Sequence, residues 1–296
     1  MMKRKIDGVL LLDKPVGLTS NSALQKAKRL FNAAKAGHTG TLDPFATGLL
    51  PLCLGEATKF SQFLLDADKV YLAEVKLGIR TSSGDTEGDI IATRPVSLDE
   101  AALRQALQGF MGEIEQIPPM HSALKHQGRP LYEYARKGVE IERKPRRVVV
   151  HELTLEGLGG DTCTLRVHCG KGFYVRALAD DLGEVLGCGA HLYGLRRTGV
   201  GPFDISQAWT PEQLTAMADL DRDHCLQPAD ILLRHLPEMK LDVESAWQIT
   251  HGQPLWFPKL AVGDGFRLYA PDGALLGVAE VNEDGKLAPK RLVAGT

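Results

Sequence analysis

The sequence predicts an α+β protein, a domain of catalytic size followed by a small, β-rich, barrel-like appendage. Apolar runs of strand length alternate with segments of helical spacing through the first 200 residues, which is the pattern of a mixed sheet with helices. The chain has 296 residues, 44% hydrophobic and 24% charged, enough for a sizeable core and for one large domain or two. Its last sixty residues carry short apolar runs punctuated by the turn signals GDG, PDG and EDG.

In chain order, Gly8 to Leu12 is a buried-strand candidate closed by DKPVG. Ser20 or Asn21 can cap a helix reaching about Ala34, with Leu24, Ala27, Leu30 and Phe31 at helical spacing. After a glycine-rich loop, Leu49 to Leu54 reads as a buried strand, Glu56 to Leu65 as a helix and Val70 to Leu77 as an alternating strand. RTSSGDTEGD (80–89) reads as a polar loop, and Ser97 with Glu100 as a capping box for a helix bearing Leu103, Leu107 and Phe110. Residues 116–138 mix turn formers with a short helix, an excursion from the core. Arg147 to Leu158 and Thr162 to Cys169 then alternate as paired strands. A helix ending at Gly187, a strand from His191 to Val200 and a mostly helical stretch from Pro211 to Pro237 complete the larger domain.

Composition excludes several classes. Five cysteines, odd in number and with no C-x-x-C pair, argue against a disulfide framework or structural zinc and suit a cytoplasmic protein. The start MMKRKIDGVLLLDKP has too short an apolar run for an export signal, and no stretch has the ~20 apolar residues of a membrane helix. There is no G-x-G-x-x-G and no G-x-x-x-x-G-K-[ST], HELTL at His151 lacks a second histidine, and the zinc-deaminase pattern is missing; no cofactor or metal is expected. A formal net charge of −2 makes any nucleic-acid surface local, and residues 125–147 hold eight cations against Glu133, Glu140 and Glu142.

The remaining chemical signal is GHTGTLDPFATG at 37–48, a glycine-rich loop around one carboxylate, Asp43. Asp-Pro and glycine make surface turns. A rigidly held, partly shielded carboxylate also serves as a nucleophile or stabilises a cationic sugar carbon, and glycines let backbone approach a substrate.

GHTGTLDPFATGLLPLCLGEATKF (37–60) closely resembles the motif that holds the catalytic aspartate in the TruB family of pseudouridine synthases, which isomerise uridine-55 in the T arm of tRNA. GVLLLDKPVGLTSN (8–21), QIPPMHSALKHQGRPLYEYARKG (116–138) and CGKGFYVRALADDLGEVLGCGAHLYGLRR (169–197) follow in the family's order, so the resemblance covers residues 8–200, and more weakly a C-terminal PUA-type RNA-binding module. Phe45 stands where leucine is commoner, and Phe173 where a small residue occurs, both apolar-tolerant positions.

The resemblance implies a largely antiparallel pseudouridine synthase sheet flanked by helices. It implies a catalytic domain over 1–237 with a basic RNA-gripping insertion at about 116–147, and a PUA-like domain over 238–296. Asp43 is then the residue that attacks the ribose of a flipped-out uridine or assists its C2′ deprotonation. Tyr71 stacks on the uracil, Arg176 pairs with the carboxylate and keeps it ionised, Tyr174 contacts substrate, and Leu195 is an apolar wall of the pocket. His38 fills the gap left by the extruded base, while Lys14 and Pro15 have a structural role. The expected protein needs no cofactor, metal, membrane or protein partner, and is a monomer acting on tRNA. A guide-RNA-dependent relative and an RNA chaperone that folds tRNA without catalysis are the competing readings.

Overall fold

The apolar run at residues 8–14 forms the first strand of the computed structural model, which describes residues 2–219 and 221–294. β1 (Gly8–Lys14) leads into α1 (Ser20–Leu30), β2 (Ala36–His38) and β3 (Thr47–Leu54). The cap of α1 is Thr19, whose Oγ1 accepts the Ser22 amide, so the helix begins one residue earlier than a Ser20 cap would start it and two earlier than an Asn21 cap. It stops at Leu30, short of Ala34, because Asn32 takes a left-handed conformation at φ +48°. Residues 55–65 are two pieces, a 3-10 turn (Gly55–Phe60) and α2 (Ser61–Leu65), the turn being tightened by Thr58 Oγ1 donating to the Gly55 carbonyl at 2.7 Å.

β4 (Lys69–Leu77) continues into β5 (Ile79–Thr81), which pairs with β6 (Ile90–Thr93), so the 80–89 loop is the tip of a hairpin. α3 (Glu100–Gln108) is capped by Asp99, not Ser97, because the Asp99 carboxylate lies in reach of the Ala102 amide. After β7 (Gly112–Gln116), the excursion consists of β8 (Lys125–His126), β9 (Arg129–Pro130) and α4 (Leu131–Ala135). β10 (Arg146–Gly159), β11 (Thr162–Cys169), α5 (Val175–Val185), β12 (Ala190–Val200) and β13 (Phe203–Asp204) follow. Between Pro211 and Pro237 the described residues hold α6 (Pro211–Ala216), β14 (Leu226–Gln227) and two 3-10 turns, less helix than the spacing predicts. Proline at 228 and the short apolar spacings favour tight turns over a long helix there.

The main sheet runs β14-β1-β3-β12-β4-β11-β10-β7, with β2 on β3 and β13 on β12. Its pairings are antiparallel except between β3 and β12, which run parallel over only two residue pairs, Thr47 with Arg196 and Gly48 with Arg197. That short seam joins two halves of the sheet, and the Asp43 loop enters β3 there. α3 and α5 cover one half around Leu103, Leu165, Leu178 and Leu182, while α1 covers the other around Leu10, Leu24, Phe31 and Leu52.

Gly48 makes the seam possible. It has φ +105°, and a Cβ there would lie 2.2 Å from the Arg197 carbonyl oxygen and 2.7 Å from its amide nitrogen. Neither atom can yield, since both belong to backbone in the sheet. Gly48→Ala is therefore expected to lower stability by about 3 kcal/mol or more, read as a shift of the urea midpoint; a shift within about 0.5 kcal/mol would show that the seam tolerates separation.

The C-terminal sheet has the order β15-β17-β18-β19-β16, built from β15 (Glu238–Lys240), β16 (Leu255–Trp256), β17 (Gly265–Tyr269), β18 (Leu275–Val281) and β19 (Lys286–Leu292). α7 (Val243–Thr250) packs on it through Ala246 and Ile249. The PDG and EDG turns fall between its strands, with Gly273 and Gly285 at φ +88° and +73°. The unit docks against the larger one: Val278 packs with Ile231 and Leu232, and Tyr269 Oη donates to Asp230 Oδ2 at 2.8 Å. No helix among the described residues is long and apolar enough to cross a membrane.

Candidate active site

The loop that carries Asp43 is held from three directions. The Leu42 amide donates to Ser20 Oγ at 2.8 Å, and Ser20 Oγ donates back to the Leu42 carbonyl at 3.1 Å, tying the loop to the first turn of α1. The Gly17 amide donates to the Pro44 carbonyl at 2.8 Å, and the Ala46 amide to the Asp43 carbonyl at 3.1 Å. Lys14 is fully buried and directs its ammonium at carbonyls, Leu18 at 2.7 Å, Pro15 at 2.9 Å and Pro44 at 3.5 Å. Burial lowers its pKa to about 8, and the structural role expected of it matches this carbonyl cradle.

Arg176 closes the site from α5. Its Nε lies 3.1 Å from Asp43 Oδ2 and its Nη2 3.5 Å from Oδ1, so the side-on pair expected from the sequence is present. The same guanidinium reaches Asp85 Oδ2 at 3.4 Å through Nη1 and donates from Nη2 to the His121 carbonyl at 2.6 Å. Arg176 stands in the first turn of α5, where the helix dipole disfavours a cation; two carboxylates offset that. The start of α5 is fixed by Gln116, whose amide side chain accepts the Tyr174 amide at 2.8 Å and donates to the Tyr174 carbonyl at 3.0 Å.

Asp85 was invisible to sequence reasoning, lost in a loop that reads as polar. It is almost wholly buried, held by the Ser83 hydroxyl and by the Glu87 amide at 3.0 Å. The available signal was a second carboxylate flanked by glycines, GDTEG, but nothing in its spacing links it to Arg176 some ninety residues on.

Sharing the guanidinium alters the charge balance at Asp43. Arg176 and Lys14 draw its pKa down, yet burial, joined by the Asp85 charge, pushes it above the ordinary carboxylate value of 3.8. The one cation thus serves two carboxylates, Asp43 and Asp85. About a third of the Asp43 side chain remains open to solvent.

Tyr71 and Leu195 share the sheet face beside this pair. Tyr71 of β4 is registered with Arg197 of β12, and Leu195 with Ala73, so both side chains emerge on one face two residues apart. They pack partly buried with Phe45 against the same core. Burial raises the Tyr71 pKa, keeping the phenol protonated at neutral pH. Arg197 is buried to 1%, donating from Nε to the Leu49 carbonyl at 2.7 Å across the seam.

Tyr174 is half-buried at the start of α5, its phenol pKa raised by burial. His38 lies on β2, registered with Leu52; among the described residues no hydrogen bond joins it to Asp43, and its buried Nδ1 has no partner. Burial and Arg197 lower its pKa, so the ring is neutral. In the 125–147 segment, only Arg143 of the eight cations forms an ion pair among the described residues, with Glu140. No group of three or more metal-ligating side chains occurs among the described residues.

Comparison with known proteins bears on this arrangement. Residues 28–175 match the model of the TruB family pseudouridylate synthase N-terminal domain. Residues 176–234 match that of the tRNA pseudouridylate synthase B C-terminal domain, and 237–293 that of the pseudouridine synthase II TruB C-terminal region. The chain is 57% identical to the tRNA pseudouridine synthase B of Burkholderia mallei, covering 99% of each, and 57% identical to that of Aromatoleum aromaticum, covering 99% of this chain and 94% of the relative. Among solved structures it resembles a chain of a Cbf5-Nop10-Gar1 complex, with TM-score 0.74 and 28% identity over 96% of this chain and 84% of the other. It also resembles a chain of an H/ACA RNP bound to a substrate RNA containing 2′-deoxyuridine, with TM-score 0.73 and 25% identity over 97% and 85%.

Proposed function

The chain belongs to the TruB family of pseudouridylate synthases, isomerases that act on tRNA, and from that premise we propose that it converts uridine-55 in the T arm to pseudouridine with Asp43 as its catalytic carboxylate. The observation that carries the assignment is the carboxylate pinned by its own backbone and held side-on by Arg176 at 3.1 Å. The reaction exchanges one bond for another. N1–C1′ breaks, the uracil turns while still bound, C5–C1′ forms, the proton on C5 leaves and N1 gains one. Atoms balance without an oxidant or a transferred group.

Asp43 acts at the sugar, either by adding to C1′ or by drawing a proton from C2′; both need a carboxylate desolvated on one side and open on the other. Tyr71 offers the uracil a flat, protonated ring, and Leu195 with Phe45 offers an apolar wall that strengthens electrostatics at Asp43 by excluding water. Tyr174 contacts the substrate from the start of α5. His38, neutral, is suited to occupy the space of an extruded base, offsetting part of the few kcal/mol that unstacking costs. The cations of 125–147 follow the RNA backbone.

In this reading residues 1–237 form the catalytic domain with its RNA-gripping insertion at about 116–147, and 238–296 a PUA-like RNA-binding domain. The enzyme works as a monomer in the cytoplasm, without cofactor or protein partner. The 57% identity to relatives named tRNA pseudouridine synthase B, against 28% to a chain of a Cbf5-Nop10-Gar1 complex and 25% to a chain of an H/ACA RNP, supports this reading over a guide-RNA-dependent enzyme. The test is purified protein alone on unmodified tRNA transcript: pseudouridine is expected at position 55 and absent from a U55C transcript. Modification elsewhere, or a strict need for guide RNA, would overturn the assignment.

A further inference from the structure

A second cationic surface lies outside the site at Asp43 and outside the 125–147 segment. α1 carries no acidic residue; Lys26 and Arg29 are exposed on it and Lys28 is half-buried. The N-terminal segment lies against the end of this helix. The Arg4 amide donates to the Asn32 carbonyl at 2.8 Å, the Ala34 amide to the Arg4 carbonyl at 2.9 Å, and Asn32 Nδ2 to the Met2 carbonyl at 3.1 Å. This docking brings exposed Lys3 and Lys5 beside the last turn of α1, and exposed Lys35 follows it.

Three nearby carboxylates have partners of their own. Asp223 pairs with Arg4, Asp219 with Arg222, and Asp7 accepts the Glu56 amide at 2.7 Å. Lys3, Lys5, Lys26, Lys28, Arg29 and Lys35 form no ion pair among the described residues. A groove of about 1200 Å³ borders the patch, lined by Arg4, Lys26, Arg29 and Arg222 with Phe31, and by two exposed carboxylates, Glu212 and Asp219, the latter paired with Arg222. The helix dipole accounts for cations in the last turn, Lys28 and Arg29. It does not account for Lys3, Lys5, Lys26 and Lys35. In a chain of net charge −2, six cations without an ion pair among the described residues, gathered on α1 and the segments that flank its end, make a local field suited to a polyanion. The exposed positions of α1 are Asn21, Ser22, Gln25, Lys26 and Arg29, with no apolar side chain to anchor in a protein pocket or a lipid surface.

We infer that this face binds the phosphate backbone of the tRNA substrate away from the T arm, so that full-length tRNA is gripped at two separate surfaces. The inference rests on the tRNA reading above. Ser20 at the start of α1 is hydrogen-bonded to Leu42, next to Asp43, and the helix carries Arg29 about 14 Å onward. That exceeds the Debye length of about 10 Å at 0.1 M salt, so the patch acts as its own contact. The chain just before the 125–147 segment approaches the same carboxylate from another direction, the His121 carbonyl accepting from Arg176 at 2.6 Å.

The test compares two RNAs, an unmodified full-length tRNA and an isolated T-arm stem-loop. Binding of each to wild type and to the triple variant Lys3→Gln, Lys26→Gln, Arg29→Gln is measured across a salt series. For full-length tRNA the slope of log affinity against log salt is expected to fall by about 2 and affinity at 0.1 M salt by about tenfold, with the stem-loop unchanged in both. An unchanged slope for full-length tRNA would overturn the inference, as would equal losses for the two RNAs. Thermal melting of the variant at the wild-type temperature excludes misfolding, since Arg4 and Arg222, which hold the local structure, are left in place. If wild type converts neither RNA, the proposed function fails, and the salt slopes still decide this contact separately.

Discussion

Asp43→Asn is expected to lose at least about 10⁴-fold in single-turnover pseudouridine formation while binding tRNA within about threefold of wild type. The amide keeps the shape of the carboxylate and can still face Arg176, but it neither adds to C1′ nor takes a proton from C2′. Arg176 keeps Asp85 and the His121 carbonyl, so the site stays assembled. Stability should not suffer. A carboxyl whose pKa is raised on folding contributes unfavourably while ionised, and that contribution is relieved as pH falls through the folded pKa. At pH 7 the asparagine variant should therefore melt at or above the wild-type temperature. The same shift places the acid limb of the wild-type single-turnover rate above pH 3.8, activity falling as Asp43 protonates. Residual turnover near wild type in the variant would remove Asp43 from the chemistry; a lowered melting temperature would mean its charge supports the fold.

How much of this site could be read in the chain follows from the range of the interactions. Asp43, its glycines and its proline are contiguous, so the loop chemistry is local and visible. Lys14 is also local, meeting carbonyls at 15 and 18. Tyr71 and Leu195 read as ordinary strand residues; only the pairing of β4 with β12 brings them to one face, and a register is not written in either strand alone. Asp85 was missed because its significance is burial beside Arg176, a tertiary fact. The helix starts failed for a different reason. Thr19 and Asp99 compete with equally good capping residues one or two positions away, and the chain entering each helix decides which side chain reaches the amide. The parallel seam between β3 and β12 had only Gly48 as a sign, and a glycine among several in a loop-like stretch does not announce a close backbone approach.

Arg176→Ala separates two roles that one guanidinium combines here. Removing it leaves Asp43 beside buried Asp85 with no cation between them. The pKa of Asp43 should rise further, because the largest lowering influence is gone while burial and the Asp85 charge remain. Single-turnover rate is expected to fall about 10³-fold, the scale of losing a preorganised charged donor, with tRNA affinity within about threefold. The acid limb should move to higher pH. The orphaned Asp85 also threatens folding, since breaking a buried pair costs about 3–5 kcal/mol, so the decisive variant is Arg176→Ala with Asp85→Asn. That double variant should regain stability but not rate, because neutralising Asp85 cannot restore the donor facing Asp43. Recovery of turnover in it would mean that Arg176 serves only to offset Asp85. Equal losses of rate and affinity in the single variant would mean instead that the guanidinium contacts RNA. A rate loss that survives in the double variant, with binding intact, assigns Arg176 to orienting and holding the charge of Asp43 against the sugar.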